Sequence, residues 1–192
     1  MRVISGNLKG RRLSSLKGQK LRPTSDRVKE AIFDILQDQI RGRKVLDLFA
    51  GTGALGIEAL SRGAKWAVFV EESTRSLTAL RRNLEECRLK ERAEVLGREV
   101  RAAIRILESR GDSFELIFLD PPYGKGLARR ALEALSRSSI VTPHTLVVAE
   151  HSFSEKLDFI PSWQRVDGRR YGSTQVSFFR PEIESSGSNG TG

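Results

Sequence analysis

Asp47-Leu48-Phe49-Ala50-Gly51-Thr52-Gly53-Ala54-Leu55-Gly56 decides the fold. An apolar run over 45–49 leads into it and a helical pattern over 53–62 leaves it, so it reads as strand, turn and helix. Gly51, Gly53 and Gly56 match G-x-G-x-x-G, which alone is weak and fits a dinucleotide fold as well as others. Asp47 narrows the choice. A dinucleotide places its pyrophosphate on the helix N-terminus, and a carboxylate nearby repels it. S-adenosylmethionine carries no phosphate but an ammonium and a sulfonium, which a carboxylate favours, and glycines let the backbone approach such a ligand closely.

Downstream, apolar runs over 66–70, 94–96, 114–119 and 145–149 alternate with helical patterns over 73–89, 98–109 and 126–138. That alternation predicts an α/β fold, a doubly wound, mostly parallel sheet with helices on both faces. Residues 163–170 and 174–180 form a terminal antiparallel pair turning at Tyr171-Gly172-Ser173. Ahead of this body, 1–5 and 11–13 read as strands of a hairpin with Gly6, Asn7 and Gly10 between them. A helix follows, with Ser25 as N-cap, Val28, Ala31, Ile32, Ile35, Leu36 and Ile40 on its apolar face, and an end near Gly42. The predicted organisation is a basic hairpin and loop over 1–24, one domain over 25–181 and a disordered polar tail over 182–192.

Ligands of such sheets bind at the carboxyl ends of the strands, so those ends supply the candidate site. Glu71 closes the second strand, 20 residues beyond Gly51, the spacing of an acid that holds ribose hydroxyls. Glu72 is its competitor and reads as surface. Glu99, after the third strand, either accepts from an adenine amino group or lies in the first turn of the next helix. The fourth strand ends in Asp120-Pro121-Pro122-Tyr123, the most specific signal in the chain. Two prolines cannot continue a helix or central strand, so the backbone turns out rigidly there. The Asp120 carboxylate and Pro121 carbonyl can accept the two N–H groups of an exocyclic base amine, aim its lone pair at a methyl donor and favour the charge that develops on nitrogen. Tyr123 offers a ring for a base drawn out of its stack.

The charge is uneven. Of a net +9, residues 1–44 hold 12 Lys/Arg against 4 Asp/Glu, a balance of +8. A basic segment on a near-neutral body suits a polyanion, the alternative being a solvated surface. Cys87 is the single cysteine, so no intrachain disulfide forms and a reducing cytoplasm is expected. No apolar run is long enough for a membrane helix, and His144 and His151 lack metal-ligand spacing, so neither membrane nor metal is expected. His151, Trp66, Trp163 and Tyr171 read as surface, core or turn residues rather than as parts of the site.

Together these segments resemble a known family. The Asp120 turn with the 47–53 stretch looks like the class I methyltransferases that act on amino groups. Residues 1–13 (MRVISGNLKGRRL), 21–30 (LRPTSDRVKE) and 53–60 (GALGIEAL) are similar to the bacterial 16S ribosomal RNA guanine(966)-N2 methyltransferases over about residues 1–180. The resemblance implies a seven-stranded, Rossmann-like sheet with an N-terminal hairpin. It implies methyl transfer from S-adenosylmethionine, leaving S-adenosylhomocysteine, to one guanine amine of 16S RNA in an assembling small subunit, by a monomer. It assigns Asp47, Phe49, Gly51 and Gly53 to the cofactor loop, Glu71 to the ribose, Glu99 to the adenine, and Asp120, Pro121, Pro122 and Tyr123 to catalysis. Arg22 and Thr24 fall in the family's most distinctive stretch, and Arg2, Lys9, Arg11 and Arg12 are candidates for phosphate contacts. A DNA adenine-N6 or cytosine-N4 methyltransferase, which uses the same four-residue turn, and a non-catalytic assembly factor are the rival readings. A NAD-dependent dehydrogenase is disfavoured by Asp47.

Overall fold

A computed structural model describes residues 1–15 and 23–182, with the side chains of 23–25 outside the description. Seven strands form one sheet: β1 (Lys44–Asp47), β2 (Trp66–Val70), β3 (Ala93–Leu96), β4 (Phe114–Leu119), β5 (Val141–Ser152), β6 (Trp163–Tyr171) and β7 (Thr174–Pro181). Their order is β3-β2-β1-β4-β5-β7-β6, with β3 to β5 parallel and β7 antiparallel to both neighbours. This is the doubly wound, mostly parallel arrangement expected.

Helices α1 (Pro23–Leu36), α2 (Ala54–Ser61) and α3 (Thr74–Glu86) cover one face; α4 (Val100–Ser109) and α5 (Leu127–Leu135) cover the other. Strands covered on both faces need apolar side chains in both directions, and β2 and β4 are accordingly almost continuous apolar runs. Phe33 of α1 meets Phe118 of β4 with ring centroids 5.7 Å apart on the first face. On the second, Ile104 and Leu107 pack with Leu46, Val68 and Ile117.

Two boundaries differ from the sequence reading. The first helix begins at Pro23, not after Ser25, because a proline lacks only an N–H that the first turn leaves unpaired. It gives way at Leu36 to a 3₁₀ turn, Gln37–Ile40. The fifth strand runs well past 145–149, since pairing with β7 carries it on to Ser152.

The hairpin is narrow: one antiparallel bridge, Arg2 to Arg12, with Val3 N–H donating to Arg11 O at 2.9 Å. It shares the main core, for Val3 and Leu13 are buried with Val28, Phe33 and Leu60. Fully buried Glu58 fastens it, accepting from the Ile4 and Ser5 amides at 2.8 and 3.0 Å and from Arg62 Nε at 2.9 Å. Lys29 Nζ lies 3.5 Å from the same carboxylate and donates to Arg2 O at 2.7 Å. A buried charge needs such company, and here four donors surround it.

Candidate active site

Parallel strands end on one side of the sheet, and the loops that leave β1 to β4 there enclose a cleft of about 1520 Å³. Its wall contains Phe49, Gly51, Glu71, Glu99 and the whole turn Asp120, Pro121, Pro122 and Tyr123. The glycine turn and the double-proline turn thus face a common space. The ladders hold them in register: Leu48 N–H donates to Phe118 O at 3.1 Å and Ala50 N–H to Val70 O at 2.9 Å.

Asp47 and Gly53 belong to the same turn but stand behind the cleft wall rather than in it. The strand ends at Asp47 and its side chain turns under the loop. There Oδ2 accepts from the Gly56 amide at 3.1 Å, while Oδ1 is buried without a hydrogen-bond partner. Burial, with the charge of Glu71 adding to it, pushes this carboxyl up to about 7 against the pull of the nearby Gly56 and Phe49 amides. Gly53 takes φ of +88°, and a Cβ there would come within 2.5 Å of Leu80. Gly56 is required by close approach: a Cβ would stand 2.2 Å from the Phe69 ring, so α2 lies on β2 only with glycine at that position.

Glu71 is held by both oxygens, accepting from the Gly51 amide at 2.8 Å and the Ser73 amide at 2.8 Å. It therefore shapes the glycine turn as well as the wall. Glu99 proves to be the N-cap of α4: Oε2 accepts from the Arg101 and Ala102 amides at 3.0 and 3.2 Å. The cap uses Oε2 alone, and Glu99 stands in the cleft wall as well. Glu72 is exposed on the cleft wall.

On the other side of the cleft Pro121 is buried and Asp120 exposed. The Tyr123 hydroxyl donates to Glu150 Oε1 at 2.8 Å and lies 3.1 Å from Thr174 Oγ1, so its ring is tethered to β5 and β7. Burial and the Glu150 charge raise the phenol well above its ordinary range and keep it a neutral donor.

Several wall residues escaped the sequence reading. Met1 and Ser15 bring the hairpin segment to the cleft, and Arg75, Arg98, Arg101, Lys125 and Arg130 ring it with positive charge. No motif marks them; only the fold gathers them. Fully buried Asn83 joins two of these parts, since its Oδ1 accepts from Ser14 N–H at 2.7 Å and its Nδ2 donates to Thr52 O at 2.9 Å.

Arg2, Lys9, Arg11 and Arg12 are exposed on the hairpin, with the Arg11 guanidinium donating to Glu86 O. Arg22 lies outside the described residues, as does the side chain of Thr24; so does the tail beyond Glu182. Cys87 is buried at the end of α3, and burial pushes its thiol up. His151 is buried rather than on the surface, with Nε2 2.9 Å from Ser177 Oγ. Trp163 is a core residue whose indole donates to Leu132 O at 2.9 Å. Among the described residues no cluster of His, Cys, Asp or Glu could hold a metal, and no helix is long and apolar enough to cross a membrane.

Known proteins share this architecture and sequence. The family described as Conserved hypothetical protein 95 matches residues 1–180. Ribosomal RNA small subunit methyltransferase D of Haemophilus influenzae is 35% identical over 164 residues, covering 85% of this chain and 84% of its own. The solved structure of the Escherichia coli protein yhhF superposes with a TM-score of 0.82 at 31% identity, covering 95% of this chain and 98% of its own. The Thermus thermophilus 16S rRNA N2 G1207 methyltransferase, solved with AdoMet and guanosine, gives a TM-score of 0.69 at 25% identity, over 87% of this chain and 45% of its own. A glycine turn and an Asp-Pro-Pro-Tyr turn facing one cleft on this sheet, with matches of that length, leave one conclusion: the chain belongs to the family of ribosomal RNA small subunit methyltransferase D.

Proposed function

We propose that this protein transfers a methyl group from S-adenosylmethionine to the exocyclic N2 amine of guanine 966 in 16S ribosomal RNA, within an assembling small subunit. The observation that carries the reading is the shared cleft of the glycine turn and the Asp120–Tyr123 turn. The relatives support it, one named for the small ribosomal subunit and one holding AdoMet and guanosine. The residues fit the donor. The unpartnered, buried Asp47 Oδ1 lies under the glycine turn and favours a cation above it. Gly51, which hydrogen-bonds Glu71, has nothing within 4 Å of where a Cβ would stand and leaves room for an approaching ligand.

When bound, S-adenosylmethionine supplies an electrophilic methyl group on a sulfonium. The chain's residues do the rest. Glu71 and the turn amides hold the sugar end, and Phe49 covers the ring system. Asp120 and the Pro121 carbonyl accept the two N–H groups of the guanine amine, turn its lone pair to the methyl carbon and stabilise the charge nitrogen gains. With the donor bound, sulfur would keep the C–S electron pair as the methyl passed to nitrogen, and Asp120 or water takes the surplus proton from nitrogen. The tethered Tyr123 ring gives the flipped base a face to stack on. Exposed Arg2, Lys9 and Arg12, with the cleft's own arginines, meet the RNA phosphates.

Incubation with methyl-labelled S-adenosylmethionine and immature small subunits, naked RNA or DNA, followed by mapping of the label, tests this. Label on guanine N2 at position 966 is the expected result. Label confined to DNA, or RNA binding without transfer to any substrate, refutes it.

A further inference from the structure

Glu150 enters no motif, yet it stands in the wall of the cleft. Leu119 and Ala149 are register partners on adjacent parallel strands, so the next residues, Asp120 and Glu150, emerge side by side. Strands lie roughly 4.8 Å apart, Phe118 and Val148 pack in one core cluster, and Asp120 and Glu150 both line the cleft. The Tyr123 hydroxyl, from the catalytic turn itself, donates to Glu150 Oε1 at 2.8 Å. A carboxylate accepts several donors at once, so that bond and a base contact are compatible.

The geometry points to Glu150 as the residue that selects guanine, by accepting the base's N1–H while Asp120 and the Pro121 carbonyl hold the neighbouring N2 amine. This inference rests on the guanine-N2 reading above. Guanine presents two adjacent donors, N1–H and the N2 amine. Adenine and cytosine present an amine beside a bare ring nitrogen, whose lone pair a carboxylate repels. Two carboxylates side by side therefore fit guanine alone, and a site built to bind a donor strongly rejects a base that lacks it.

2-Aminopurine separates this from a structural role, because it keeps the reacting N2 amine and lacks only the N1–H and the O6. Small-subunit particles are reconstituted with 16S RNA carrying guanine or 2-aminopurine at position 966, and kcat/KM is measured for each. Wild type should prefer guanine by roughly tenfold or more, the effect of one charge-assisted hydrogen bond. Glu150→Gln, whose amide can donate to a bare ring nitrogen, should bring the ratio close to one with S-adenosylmethionine affinity unchanged. Tyr123→Phe, which removes the tether and keeps the carboxylate, should retain the wild-type ratio. Equal rates on the two particles by wild type overturn the inference without any variant. A Glu150→Gln protein that slows both equally also overturns it, leaving Glu150 as a tether for Tyr123. Wild type that methylates neither particle overturns the guanine-N2 reading and this inference together.

Discussion

Replacing Asp47 by Asn isolates a charge buried beneath the cofactor turn. The carboxyl ordinarily ionises at 3.8 and in the fold at about 7. At about 1.4 kcal/mol for each tenfold change in proton affinity, ionised Asp47 costs the ligand-free fold on the order of 4 kcal/mol. Below pH 3.8 the group is neutral in folded and unfolded chains and costs nothing. As pH rises from there the unfolded chain loses its proton first, stability falls, and above about 7 the loss is complete. Asn is neutral throughout and its carbonyl still accepts the Gly56 amide. Any penalty for the buried amide is fixed, so the slope with pH is the readout. Buried His151 acts oppositely, its imidazole held below the usual range so that its contribution is lost as pH falls, but it is common to both proteins and cancels in the comparison. Urea unfolding at pH 4.5, 5.5, 6.5 and 7.5, followed through Trp66 and Trp163, should show Asp47→Asn gaining on wild type at each step. Saturating S-adenosylmethionine, a cation that favours the ionised form, should narrow the gap. Parallel curves across that range would refute the buried-charge account.

Gly56→Ala should lower unfolding free energy by about 1–3 kcal/mol, because the new methyl meets the fully buried Phe69 ring; thermal denaturation reads it. Asn83→Ala leaves the Ser14 amide and Thr52 carbonyl unpaired, so it should cost about 2 kcal/mol or more in urea unfolding. Calorimetry should also show weaker S-adenosylmethionine binding. Asp120→Ala should cut methyl transfer by roughly a hundredfold or more with S-adenosylmethionine affinity preserved; an unchanged rate removes Asp120 from the chemistry. Arg12→Ala should weaken RNA binding at all sequences and reduce the slope of log affinity against log salt by about one, measured by filter binding.

The sequence carried the sheet because its signals are local. Runs such as 66–70 and 114–119 announce buried parallel strands, and the turn at Pro121-Pro122 has one backbone outcome. Asp47 was visible as a residue but not as a position: only the loop's curvature puts it under the turn rather than in the wall. Glu99 shows the same limit: an acid at a strand end and an acid at a helix start occupy neighbouring positions, and only the fold shows it both capping α4 and standing in the cleft wall. Glu58, Asn83 and Glu150 were illegible, for the Ile4 amide, the Ser14 amide and the Tyr123 hydroxyl that they bind lie 54, 69 and 27 residues away. The hairpin's burial was hidden too, because Val3 and Leu13 are single apolar residues in a basic stretch.

The lone sulfhydryl has a practical use. Thiolates, not thiols, attack maleimides, and Cys87 is both enclosed and disinclined to ionise. The native chain therefore serves as its own cysteine-light background: a fluorophore attached at Ser15→Cys, on the rim where the arm meets the reaction opening, would report RNA arrival without any prior replacement.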